Sequence, residues 1–155
     1  MKLIINASEC DTSTLKVAEA LRLVFQKFED QLAGNYDGII EHLWIDLELS
    51  EMSFKAFGKP PKPFRFQKRV SGAGRMGFPA IPDSYNVGHY SIRPDFEILK
   101  KNTIEQSVSY IIGLVYQSTE VLLDKQKRLG GFNAVDFRDK FLSVAISLGF
   151  NIGDE

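Results

Sequence analysis

The chain has 155 residues, 44% of them hydrophobic and 25% charged, which is the make-up of a folding globular domain and not of a disordered tail. That length suits one domain over 1–155, because two separate cores would each lie near the size at which burial only just offsets chain entropy. Nineteen Lys and Arg against twenty Asp and Glu leave a net charge of −1, so no overall electrostatic pull toward nucleic acid or anionic membrane is expected.

Residues 3–7 read as a short strand, and the few apolar residues at the start fall short of the roughly 7–15 of a signal h-region, so export by that route is not expected. The single cysteine, Cys10, rules out an internal disulfide and suits a reducing, cytoplasmic setting. Asp11, Thr12 and Ser13 can cap a helix in which Ala18, Leu21, Val24, Phe25, Phe28 and Leu32 recur at three- and four-residue steps, ending near Gly34. From 39 to 49 the period becomes two. Ile39, Glu41, Leu43, Ile45, Leu47 and Leu49 share one face, and Ile40, His42, Trp44, Asp46 and Glu48 share the other, which predicts a long strand.

All six prolines fall between Pro60 and Pro94, so the middle of the chain cannot hold a long helix; residues 64–70 and 87–92 are its strand candidates. Asn102 with Glu105 makes a capping box for a helix carrying Ile104, Val108, Ile111, Ile112, Val115, Thr119 and Leu122 on one face. Lys125, Lys127 and Arg128 suit its negative end, and Gly130-Gly131 its exit. Asn133 with Asp136 opens a last helix, with Ala134, Phe137, Phe141, Ala145 and Leu148 inward and Gly149 as its stop. The order β-α-β-β-β-α-α predicts an α+β fold, with a mainly antiparallel sheet of about four or five strands packed on three helices. A parallel pairing of the first two strands through the first helix is the alternative.

Several patterns bear on function. Gly72, Gly74 and Gly77 match G-x-G-x-x-G, but Pro79 and Pro82 deny the following helix whose N-terminus would hold a pyrophosphate, which favours a plain turn. Between Glu29 and Glu51 there are seven acids and no Lys or Arg, and between Lys55 and Arg75 seven bases and no acid. If these segments lie side by side, the charges satisfy each other across strands. If they do not, the acidic face of His42, Trp44, Asp46 and Glu48, together with the adjacent Glu41, offers an aromatic anchor and negative charge to a protein partner. Gly72, Gly74, Arg75, Tyr85, His89 and Arg93 are the alternative set, lining a small-ligand pocket. Two histidines and one cysteine without ligand spacing give no metal site, there is no nucleophile elbow, and no cofactor is expected.

The plan of the whole chain resembles the small α+β immunity proteins of bacterial polymorphic-toxin and contact-dependent growth-inhibition systems. The resemblance is carried by the opening strand, the amphipathic first helix, Leu43-Trp44-Ile45-Asp46-Leu47-Glu48, Lys62-Pro63-Phe64-Arg65-Phe66, and Phe137-Arg138-Asp139-Lys140-Phe141-Leu142. It implies a non-catalytic cytoplasmic inhibitor bound to a cognate toxin, often a nuclease, without direct contact to nucleic acid or membrane. One departure is the near-neutral charge, since inhibitors of basic nucleases are frequently strongly acidic.

Overall fold

The structure is a computed structural model that describes residues 1–7, 9–51, 64–70, 86–127 and 129–152, with the backbone alone over 64–70 and at 86 and 87. Its strands are β1 (Lys2–Asn6), β2 (His42–Leu47), β3 (Phe64–Val70) and β4 (Asn86–Ile92). A 3-10 turn (Thr12–Thr14) leads into α1 (Leu15–Leu32), and the chain after β4 forms α2 (Phe96–Lys101), α3 (Ile104–Ser118), α4 (Glu120–Asp124) and α5 (Ala134–Ser147).

The sheet order is β1-β2-β4-β3. β1 pairs parallel with β2, and β2 parallel with β4, while β3 runs antiparallel along β4. The expected mainly antiparallel sheet on three helices is therefore corrected: three strands form a parallel group, and four helical segments follow β4. Charge explains the placement of β4 between β2 and β3. The β4 sequence Val87 to Ile92 has no Lys, Arg, Asp or Glu and can be flanked on both sides, whereas β3 carries Arg65, Lys68 and Arg69, which suit an edge. The acidic strand and the basic strand are thus not neighbours, and direct cross-strand pairing between them is ruled out for these segments.

One sheet face carries the helices. Leu3 lies beside Leu43, Ile45 between Ile5 and Tyr90, and Leu47 beside Ile92, and all seven are buried. Against them α1 turns Val17, Ala18, Leu21, Phe25, Phe28 and Leu32 inward. The Phe28 and Phe141 rings stack at 4.6 Å, joining α1 to α5. Tyr90 reaches through this layer to α3, its hydroxyl 2.9 Å from that of Ser118, and complete burial pushes the phenol pKa up against the smaller opposing effect of that bond.

Element ends depart from expectation for local reasons. β2 is shorter than 39–49 because Asp37 and Gly38 both adopt positive φ, and Ile39 donates its amide to the Leu129 carbonyl instead of to a strand. Leu49 keeps only an isolated parallel bridge to Cys10. The capping box of α3 is Thr103 with Gln106, one residue beyond the expected Asn102 with Glu105; Thr103 Oγ1 accepts from the Gln106 amide, and Gln106 Oε1 accepts from the Thr103 amide. Asn102 instead ends α2, a helix the sequence reading missed.

Candidate functional site

On the face turned away from the helices, the β1, β2 and β4 registers bring together the rows Asn6-Asp46-Ser91 and Ile4-Trp44-His89. Alternation along each strand dictates this, since the intervening residues are committed to the core. Asp46 is the centre. Its Oδ1 accepts from Trp44 Nε1 at 2.7 Å and from Asn6 Nδ2 at 3.2 Å, and its Oδ2 lies 2.6 Å from His89 Nε2. A carboxylate has no proton to give, so the imidazole carries its hydrogen on Nε2 and donates.

The electrostatics follow from these contacts. Burial alone would raise the Asp46 pKa, but the bonds from His89 and Trp44, the attraction of His89 and the bond from Asn6 together hold it below the ordinary carboxylate value. Asp46 is therefore an anion at neutral pH, with its acceptors directed at three strands. One strand end further along the same face, burial and the positive charge of Lys2 lower the His42 pKa, against a smaller opposing pull from Glu41.

The two sets of candidate residues are redistributed by this geometry. From the partner-binding set, Glu41 is exposed, and His42, Trp44, Asp46 and Glu48 are half-buried. From the alternative ligand set, His89 is buried and joined to Asp46, and Arg93 is half-buried with its guanidinium 5.8 Å from the centre of the Phe96 ring. Gly72, Gly74, Arg75 and Tyr85 lie outside the described residues. Two sets read as rivals thus meet at one pair, Asp46 with His89.

Asn6 escaped the sequence reading. The available signal was its place in the opening strand, with Leu3 and Ile5 as the core positions; recognising its partner required the parallel register. Chemically, the cluster fixes an indole and an imidazole around one carboxylate. An aspartate-oriented imidazole is also one component of hydrolytic centres, where it needs a nucleophile or substrate within reach of the second ring nitrogen. Among the described residues, no group of three or more His, Cys, Asp or Glu could hold a metal ion, and no helix is long and apolar enough to cross a membrane. No protein-family model matches the chain, and no curated protein or solved structure matches it.

Proposed function

We propose that this protein is a non-enzymatic binding module of the immunity kind, acting in the cytoplasm by occluding a cognate toxin, with a nuclease as the expected toxin class. The observation that carries the reading is the fixing of Trp44 by Asp46 on the sheet face opposite the α1 core. Tryptophan is enriched among residues that dominate binding energy, and an indole already held in place loses little rotamer freedom on association. Exposed Glu41 and half-buried Glu48, which flank β2 at its two ends, add the negative charge that complements a basic nuclease surface.

The test is affinity capture from the source organism with the native chain and with Glu41→Lys/Trp44→Ala. The reading expects a partner with a toxin domain, retained by the native chain and lost by the variant, and protection of cells by the native chain when that domain is expressed. A native chain that binds such a domain no better than the variant, or gives no protection, overturns it.

A second reading, a small enzyme or ligand-binding domain, draws support from the 2.6 Å Asp46–His89 contact. It expects a metabolite or nucleotide to raise the melting temperature of the native chain, with the shift lost in His89→Gln and in Gly74→Val.

A further inference from the structure

β1 forms one border of the sheet and pairs only with β2 among the described residues. An apolar border strand is a template for another chain, because alternate backbone amides and carbonyls point outward. In β1 the inward groups are those of the even residues, beginning with the Lys2 amide, which donates to the Glu41 carbonyl. The odd residues therefore present their backbone groups outward.

Helix α1 meets these groups with side chains of matching polarity. Glu29 Oε1 accepts from the Ile5 amide at 2.9 Å, and the Arg22 guanidinium donates to the Ala7 carbonyl at 3.2 Å. The two residues stand two helical turns apart, so they follow one line along α1, and that line runs beside the strand. Just beyond, the Gly34 amide donates to the Met1 carbonyl at 3.0 Å. We propose that Arg22 and Glu29 guard the β1 border, occupying with side chains the hydrogen-bonding positions that β1 of a second copy would otherwise take in an antiparallel, two-fold pairing. A carboxylate stands in for the incoming carbonyl at Ile5 and a guanidinium for the incoming amide at Ala7, so these two positions are taken without offering a strand. This assignment is independent of the Asp46 cluster, to which β1 contributes only its even residue Asn6.

Light scattering after size exclusion, over a range of concentrations, tests the guard in the full chain. Arg22→Ala/Glu29→Ala is expected to shift toward twice the native mass, whereas Arg22→Lys/Glu29→Gln, which keeps a donor and an acceptor, is expected to keep the native mass. Hydrogen exchange read at the Ile5 amide supplies a second measurement, with exchange about tenfold faster in Glu29→Ala than in the native chain under conditions where each is a single species. The proposal is overturned if the folded double alanine variant keeps the native mass, if the conservative variant associates as readily as the alanine one, or if Ile5 exchanges equally fast with and without Glu29. Should the double variant fail to fold, the single alanine variants are read against the same outcomes.

Discussion

The two faces of the sheet solve opposite problems with the same strands. On the helical face, Leu43, Ile45 and Ile92 gain stability from being removed from water, and any apolar side chain of similar volume and shape would serve. On the other face, Asp46 depends on three named donors, each from a different side chain, and no substitution preserves all of them. The first face is tolerant in chemistry and strict in volume; the second is strict in chemistry. A binding surface calls for the second kind of order, because the orientation of Trp44 is specified before any partner arrives.

Substitutions graded by their cost sharpen this contrast. Phe141→Ala on the helical side removes a ring stacked on Phe28 and leaves a cavity among buried neighbours, so urea unfolding is expected to show a loss of about 3–5 kcal/mol. Gly38→Ala follows at about 3 kcal/mol, because the residue has a φ of 71° and a Cβ there would lie 2.5 Å from the Leu129 carbonyl oxygen and 2.6 Å from the Phe132 amide. Gly131→Ala makes the control: with a φ of 86° but no atom within 4 Å of the new Cβ, it is expected to cost only about 1 kcal/mol.

On the polar face, Asp46→Ala is expected to cost about 2–3 kcal/mol by leaving the indole and imidazole donors without their acceptor. It also has a signature in pH that no core substitution shares. Because the folded state holds the Asp46 pKa below its unfolded value of about 3.9, its contribution is complete above that value and is lost as pH falls through the lower folded one. Stability measured from pH 6 down to pH 2 should therefore fall less steeply in Asp46→Asn than in the native chain, and equal slopes would contradict the network. A cost as small as that of the Gly131 control, about 1 kcal/mol, is expected for Thr103→Ala, which removes one half of the α3 capping box on the exposed surface.

The same contrast explains what could be read from the sequence. Residues whose burial depends only on periodicity, such as Leu21, Phe25 and Phe28 in α1 or Phe137 and Phe141 in α5, are legible because the period of 3.6 is written locally. Strand direction is not written locally. Residues 64–70 and 87–92 have strand composition whichever way they run, and the order of strands before helices favours a mainly antiparallel sheet. The charge of Arg65, Lys68 and Arg69 against the uncharged β4 was the overlooked indicator that β3 belongs at the border and β4 inside. Once β4 lies parallel to β2, Trp44 falls opposite His89 and Asp46 opposite Ser91, and the cluster forms. The site was thus legible as separate residues, Trp44, Asp46 and His89, and illegible as a group, since its members come from segments joined only by the register.

The measurement that bears most directly on the central claim is the equilibrium affinity of the captured toxin domain for the native chain and for Glu41→Lys/Trp44→Ala, each shown by circular dichroism to be folded. The account predicts a loss of about thirtyfold or more in the variant, the size expected when a dominant aromatic anchor and a complementary charge are removed together. Affinities within a factor of about two, with both chains folded, would contradict it and leave the Trp44–Asp46–His89 cluster as a device of stability alone.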